Sequence, residues 1–167
     1  MGFVEAVIKT GTKTLRVYNY HAGYLEVEER LDQVKQLVKT YQRSPLEHGA
    51  WSGKPNIDSD DWSNLGDEPE MPATAIVCGD FNCPPGSTEY RYLLDNSDLN
   101  DCWSVSDPDN LNTSTLKHEI TEDIKISGKI DHILVSHDLV GRVDRVMIDH
   151  DADGSDHKPV HCFLDIE

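Results

Sequence analysis

The chain has 167 residues, of which 37% are hydrophobic, and its 31 acidic and 15 basic side chains give a formal net charge of -16. This length fits one domain with one modest core. The acidic excess argues against tight non-specific binding to nucleic acid, which depends on many Lys and Arg contacts to phosphates. No apolar run approaches the roughly 20 residues of a transmembrane helix. No secretory signal is visible, so a cytoplasmic location is favoured without being assigned.

The first third of the chain predicts a β-hairpin followed by a helix. Strands are expected over Val4–Ile8 and Leu15–Tyr20, because both runs are rich in β-formers and Gly11 lies in the turn between them. Over residues 25–41 apolar side chains recur at spacings of three and four with charged residues between them, which is typical of an amphipathic helix.

The middle of the chain predicts a long loop and then a buried strand. Residues 44–73 carry four prolines with scattered Gly and Asp, and we interpret them as a loop insertion within a single domain that spans residues 1–167. Ala75–Cys78 is apolar at every position, as expected of a strand covered on both faces. Ser87 then has the side chain to cap a short helix that runs through Leu94.

The last third predicts strands separated by irregular segments. Residues 95–129 are expected to be mostly irregular, with a strand near 120–126. Further strands are expected over 130–135, 143–148 and 159–164. Together with the two helices, these strands indicate the α/β class.

Polar side chains placed beside strand ends are the candidates for chemistry, because loops present such residues over a rigid sheet. The tetrapeptide Gly79-Asp80-Phe81-Asn82 follows the buried strand. Asp80 can accept a proton from water or bind a cation, and Asn82 can donate to a phosphate oxygen. The alternative is an ordinary turn, since Gly, Asp and Asn are all turn formers.

Two later motifs and one early histidine complete the candidate set. Ser155-Asp156-His157 puts a carboxylate beside an imidazole, which suits acid–base work or metal binding, but it also fits a surface loop. Asp131 interrupts an apolar strand, where a carboxylate is costly unless it is paired, and an imidazole would be its natural partner. Edge-strand alternation is the other reading. His21 ends the second strand and, taken alone, fits a structural role better.

Taken together and in this order, the motifs resemble those of the endonuclease/exonuclease/phosphatase superfamily, whose fold is the DNase I-like four-layer α/β sandwich. The matching stretches are Asn19-Tyr20-His21, Gly79-Asp80-Phe81-Asn82, Ile130-Asp131-His132-Ile133 and Ser155-Asp156-His157-Lys158-Pro159-Val160. The helix that carries Arg30 and Gln33 after the first motif is similar as well. This resemblance covers nearly the whole chain.

The resemblance implies a role for each matched residue. Asp80 would orient or deprotonate the attacking water, Asn82 would position the phosphate, and His21 would contact it. His157 would bind a phosphate oxygen or transfer a proton, with Asp131 orienting its ring, and Asp156 would lie at the metal. The implied cofactor is Mg2+, for which Mn2+ could substitute, and the implied substrate is a phosphodiester or phosphomonoester, nucleic acid included.

The family's first half, with its Gln-Glu metal ligand, has no match in the chain. Glu5 has no Gln before it and is not matched to that ligand. We therefore expect this chain to supply roughly the C-terminal half of the sandwich, about one sheet with its helices. The exposed sheet face would be covered by the missing N-terminal half or by a second copy, and the chain alone could be inactive.

The leading functional prediction is a Mg2+-dependent phosphoesterase that cleaves phosphodiesters, with a nuclease as the first choice. The enzymatic alternatives are a phosphatase acting on inositol phosphates or another phosphomonoester, a sphingomyelinase-like phosphodiesterase and an RNA deadenylase. A non-catalytic interaction module that has lost the metal-binding Glu is the alternative from another class.

Overall fold

The computed structural model of the chain describes residues 2–11, 13–47, 71–107, 109, 114–116 and 128–166. Seven strands, three α-helices and a 3-10 helix form in this part of the chain. The strands are β1 (Gly2–Thr10), β2 (Lys13–His21), β3 (Ala75–Asp80), β4 (Asn100–Asp101), β5 (Asp131–Val135), β6 (Val143–Ile148) and β7 (Val160–Leu164). The helices are α1 (Val27–Glu47), α2 (Thr88–Asp95), α3 (Cys102–Ser106) and the 3-10 helix His137–Arg142.

Five strands form the main sheet in the order β1-β2-β3-β5-β4, and β6 pairs with β7 in a separate two-stranded sheet. The hairpin β1-β2 is antiparallel, β2 runs parallel to β3, and β5 runs antiparallel to β3 and β4. The predicted hairpin is confirmed, and Gly11 has the positive φ of 55° that its turn requires. The expectation of about one sheet is incomplete, because the last two strands pair with each other rather than with the main sheet.

One face of the main sheet packs against α1 and α2. Its core joins Tyr18 and Tyr20 of β2 and Val77 of β3 to apolar residues of the helices, including Leu37 and Leu93. Most of the fully buried apolar side chains in the described part of the chain lie here, as expected where burial of apolar surface stabilises the fold. We call this side of the sheet the covered face.

The opposite face, which we call the second face, is only partly covered. Ile76 of β3 and Ile133 of β5 pack into a smaller cluster with Val146 of β6 and Cys162 of β7. Toward β1 the face is open, where Val4 is 67% and Ile8 is 43% exposed.

Helix α1 is longer than the predicted 25–41, because it continues through Pro45 to Glu47. Proline has no N–H to give to the carbonyl four residues earlier. Here that carbonyl, on Tyr41, accepts a hydrogen bond from Arg16 Nη1 at 2.8 Å, so it is not left without a donor. Residues 44–47 of the predicted loop are therefore helical, and most of the rest of that loop lies outside the described residues.

Other boundaries differ from the predictions in smaller ways. Strand β3 extends two residues further, to Asp80. The segment 95–129 contains β4 and α3, which are too short for periodicity to reveal, and the Asp101 side chain caps α3 by accepting from Trp103 N at 2.8 Å. The strand expected near 120–126 lies outside the described residues. Helix α2 is capped by Ser87 as predicted.

Candidate active site

The candidate site begins as a row of three side chains across three neighbouring strands. His21 of β2 pairs with Asp80 of β3, and Asp80 pairs with Asp131 of β5. Because paired residues in a sheet point to the same side, all three lie at one end of the second face. The row holds two carboxylates and an imidazole within reach of one another.

Gly79 makes this close arrangement possible. Its φ is 138°, and a Cβ built on it would lie 2.0 Å from the backbone oxygen of Tyr20. No side chain fits there, so only glycine lets β2 and β3 approach each other closely just before Asp80.

His157 joins the row from the loop before β7. Its Nδ1 donates to Asp131, at 2.9 Å from Oδ2 and 3.1 Å from Oδ1. Its Nε2 lies 3.9 Å from Asp80 Oδ2, and the Nε2 of His21 lies 3.7 Å from the same oxygen. The Asp131 bond requires a hydrogen on Nδ1 and orients the ring, so that Nε2 is the atom that faces Asp80.

The loop that carries His157 is held by hydrogen bonds of Ser155 and Lys158. The His157 N–H donates to Ser155 Oγ at 3.1 Å, and Lys158 Nζ donates to the carbonyls of His150 and Ala152. These bonds fix where the imidazole meets β5.

Asn82 holds Asp80 in place from the loop after β3. Its backbone N–H donates to Asp80 Oδ1 at 2.8 Å, and its Nδ2 donates to Asp80 Oδ2 at 3.2 Å and to the carbonyl of Ala22 at 3.0 Å. Both amide hydrogens are thereby used, so a contact from this amide to a phosphate requires one of these bonds to exchange. In this structure Asn82 orients Asp80 and ties it to the segment after His21.

That segment is itself fixed by α1. Arg30, paired with Glu89 at 2.7 Å, reaches the carbonyls of Gly23 and Tyr24, and Gln33 Oε1 accepts from the Gly23 N–H at 2.7 Å. The helix that resembles the family's therefore anchors the end of β2 where His21 lies.

The environment shifts two pKa values in the site. Burial raises the pKa of Asp80, and the Asp131 charge adds to this, while the Asn82 N–H and the two histidines oppose it. Burial lowers the pKa of His157, but the bond to Asp131 and the charges of Asp131, Asp80 and Asp156 outweigh it, so this pKa lies above its ordinary value. Asp80 is thus a stronger base than an exposed carboxylate, and His157 holds its proton more tightly than a free imidazole does.

Two other carboxylates, Asp156 and Glu5, differ in their distance from the site. Asp156 lies on the exposed loop beside His157, close enough for its charge to act on the imidazole. Glu5 lies on the covered face, where Tyr18 donates to it and Arg16 lies 3.9 Å away, so it has no place in the site. The structure thus brings His21, Asp80, Asn82, Asp131 and His157 together, with Asp156 at the rim.

A divalent cation finds suitable oxygen ligands here. Among the described residues, Asp80, Asp131 and His157 form a group whose potential ligand atoms lie within 4.8 Å of one another. Asp80 and Asp131 are the carboxylates of this group, and Asp156, which the resemblance places at the metal, is not among its members. Mg2+ commonly takes one or two carboxylates and completes its shell with waters and phosphate oxygens, which this set fits.

Sequence reasoning missed one group beside the site: His132, Asp101 and Lys129 are nearly fully buried beneath it. The available signal was the adjacency of Asp131 and His132 in an apolar strand. Neighbouring strand residues point to opposite faces, so both polar side chains need a partner.

Several solved structures that are similar to this chain are named as nucleases or as a phosphatase. A 3'-5' exonuclease of Neisseria meningitidis matches with a TM-score of 0.61 and 19% identity, over 90% of this chain and 61% of that one. A mannosyl-6-phosphatase of Bacteroides thetaiotaomicron matches with a TM-score of 0.55 and 21% identity, over 92% and 52%. An AP endonuclease of Archaeoglobus fulgidus matches with a TM-score of 0.55 and 16% identity, over 91% and 62%.

These likenesses show the DNase I-like α/β fold, and this chain spans between 52% and 62% of the length of these three structures. No curated protein sequence matches it significantly. No helix in the described ranges is long and apolar enough to cross a membrane. Residues 13–157 match the sequence profile of the Endonuclease/Exonuclease/phosphatase family, and the chain belongs to that family.

Proposed function

We propose that this chain carries the water-activating half of a divalent-metal-dependent phosphoesterase, with phosphodiester cleavage by a nuclease as the first choice. The observation that carries the proposal is the row His21–Asp80–Asp131 with His157 bonded to its last member. In a family named for phosphoester hydrolysis, this end of the sheet is where substrate phosphate would bind.

The chemistry follows from the positions of the groups. Asp80, with its raised pKa, takes the proton of the attacking water as the water oxygen bonds to phosphorus. The bond from phosphorus to the ester oxygen breaks, and the leaving oxygen takes up a proton from solvent. His157 donates from Nε2 to a non-bridging phosphate oxygen, where negative charge grows in the transition state. Asp131 orients the ring from Nδ1, and His21 approaches the same phosphate from the other side of Asp80. Mg2+ held by Asp156 and waters, or Mn2+ at the same place, would supply Lewis-acid neutralisation of the phosphate charge and leave Asp80 to act as the base.

A phosphatase of small phosphate esters is the second candidate, and charge is the observation that favours it. The chain has a net charge of -16, while nucleic acid binding depends on cationic contacts to several phosphates. A small ester needs contacts to one phosphate only, and the row of side chains supplies them.

The open part of the second face gives a proposal about partners. Val4 and Ile8 are exposed on this part of the face. We propose that further polypeptide of the family's fold, corresponding to the N-terminal half of the longer relatives, covers it. Sedimentation tests this: a monomeric chain that binds a hydrophobic dye supports the proposal, and a dimer that excludes the dye assigns the face to a second copy.

A substrate panel on the full-length gene product tests the function. Plasmid DNA, RNA, inositol phosphates, sphingomyelin and p-nitrophenyl phosphate esters are incubated with Mg2+ and wild type, Asp80→Asn or Asp32→Asn. Asp32 is a matched control, because its side chain is 76% exposed on α1 and only pairs with Lys35. If wild type and Asp32→Asn hydrolyse a substrate and Asp80→Asn does not, the proposal is supported. If the wild type hydrolyses none of these phosphoesters, the chain is assigned to the non-catalytic interaction class.

A further inference from the structure

Three ionisable side chains are buried together beneath the site. Asp101, Lys129 and His132 are each at most 3% exposed. Asp101 Oδ2 accepts from the Tyr90 hydroxyl at 2.7 Å and from Lys129 Nζ at 3.3 Å, and it lies 3.3 Å from His132 Nδ1. Burying such groups is costly unless they are paired, and the proposed chemistry uses none of them.

His132 extends this network to the loop after β3. Its Nε2 lies 3.0 Å from the carbonyl oxygen of Cys83, the residue that follows Asn82. A carbonyl can only accept, so this bond requires a hydrogen on Nε2. The ring itself is held between Phe81, at 5.3 Å and 88°, and Tyr90, at 5.1 Å.

Asn82 has a left-handed backbone conformation, which most side chains disfavour and Asn tolerates better than most, and both of its neighbours are held in place. Among the described residues it alone has a positive φ without being glycine, at 48°. Phe81 anchors one side of it, with its ring 1% exposed and its N–H bonded to the Ile130 carbonyl at 2.9 Å. On the other side of Asn82, the bond between the Cys83 carbonyl and His132 Nε2 anchors the chain.

We propose that Asp101 and His132 form a positioning pair for the site. Asp101 orients the imidazole, the imidazole holds the Cys83 carbonyl, and this keeps Asn82 left-handed with its two bonds on Asp80. His132 acts on Asp80 through the loop and touches no reacting group. The positioning claim stands on the geometry, while its effect on turnover rests on the proposed function.

Two substitutions of His132 separate its two bonds. A Gln amide nitrogen reaches about as far as Nε2, so His132→Gln keeps a donor to the Cys83 carbonyl and gives up the Asp101 bond. An Asn amide nitrogen reaches about as far as Nδ1, so His132→Asn keeps the Asp101 bond and releases the carbonyl. Tyr90→Phe is the control, because it removes one bond from Asp101 and leaves the imidazole and the loop in place.

The first readout is the NMR signals of the Asn82 backbone and side-chain amides in the chain itself, with no substrate or metal. We expect these signals to move in His132→Asn and to stay near their wild-type positions in His132→Gln and Tyr90→Phe. In an active full-length protein, kcat should fall about 10- to 100-fold in His132→Asn with KM little changed, as when an outer partner of a site is lost. The His132→Gln variant should keep most of the wild-type kcat.

Equal movement of the Asn82 signals in the Gln and Asn variants, or none in either, would overturn the proposal. A measurement on the wild type keeps the test open if the variants fail to fold. The 15N shifts of His132 should show a hydrogen on both Nδ1 and Nε2, because the Asp101 carboxylate and the Cys83 carbonyl can only accept. A ring with a hydrogen on one nitrogen alone would also overturn the proposal. Since these readouts need no turnover, an inactive full-length protein would refute the proposed function without touching this one.

Discussion

Two His–Asp pairs lie on opposite sides of the same strand, and they differ mainly in burial. On the second face, His157 and Asp131 have side chains that are 32% and 19% exposed, and their bond is 2.9 Å long. On the covered face, His132 and Asp101 are 0% and 2% exposed and 3.3 Å apart. β5 supplies one member to each pair, Asp131 and its neighbour His132.

The difference in burial determines what each pair can do. His157 keeps a solvent-accessible side and an Nε2 directed at Asp80, so it can meet a ligand. Asp101 is surrounded by donors: burial would raise its pKa, but the bond and charge of His132, the Lys129 charge and the Tyr90 bond outweigh this and hold the pKa below its usual range. The same chemical pair can therefore serve the reaction on one face and the architecture on the other.

The largest expected difference between the pairs is in stability. Asp101→Asn leaves Lys129 and His132 buried without their carboxylate, and removing one partner of a buried ion pair costs about 3–5 kcal/mol. Asp131→Asn breaks a half-exposed pair, for which about 1 kcal/mol or less is expected. Urea unfolding of both variants at neutral pH measures this, with Asp32→Asn as a reference. Equal losses would mean that burial does not distinguish the pairs.

The next largest effect is on turnover, and it is expected for the His157–Asp131 pair. In an active full-length protein, His157→Ala should lower kcat about 10²–10³-fold, because it removes a donor to charge that grows in the transition state. Asp131→Asn should cost less, since it only misorients the ring. The double variant should be no slower than His157→Ala, because residues that act as a unit are not additive. Additive losses in kcat would show that Asp131 has a role of its own.

A smaller effect concerns the pKa of His157. Burial lowers it, but the Asp131 bond and the nearby carboxylates raise it above the ordinary value, so Asp131→Asn should lower it in an NMR titration. Asp156→Asn should lower it less, since Asp156 contributes charge without a bond. A raised histidine pKa stabilises the fold below the unfolded pKa of about 6.5, and this contribution disappears as pH rises through the folded pKa. The stability difference between wild type and His157→Gln should therefore shrink as pH rises.

The smallest expected effect is metal binding by the chain itself. The described site offers few free oxygen ligands, because Asn82 bonds both oxygens of Asp80 and His157 bonds both oxygens of Asp131. We therefore expect weak Mg2+ binding in calorimetry. Asp156→Asn should weaken it further, and Asp32→Asn should leave it unchanged. Tight stoichiometric binding would mean that another carboxylate completes the site.

Sequence reasoning predicted the parts of the molecule that depend on local pattern. The hairpin, the amphipathic helix, the Ser87 cap and most strands follow from periodicity and turn residues, and the ordered motifs indicated the family. Long-range contacts decided the rest. Helix α1 passes Pro45 because Arg16, distant in the sequence, satisfies the Tyr41 carbonyl. The use of both Asn82 amide hydrogens and the depth of His132 likewise depend on partners that no short motif contains.

The central claim is that His157 and Asp131 belong to the phosphate site. Its most direct test is an NMR titration of the histidine ring signals with inorganic phosphate and Mg2+. The account predicts saturating shifts for His157 and His21, which flank Asp80, and unchanged signals for His132 beneath them. His157 should respond less in Asp156→Asn, because Asp156 is the residue proposed to hold the ion, and Asp32→Asn should behave as wild type. Shifts at His132 without shifts at His157, or no response from His157 at saturating phosphate, would contradict the assignment of the site.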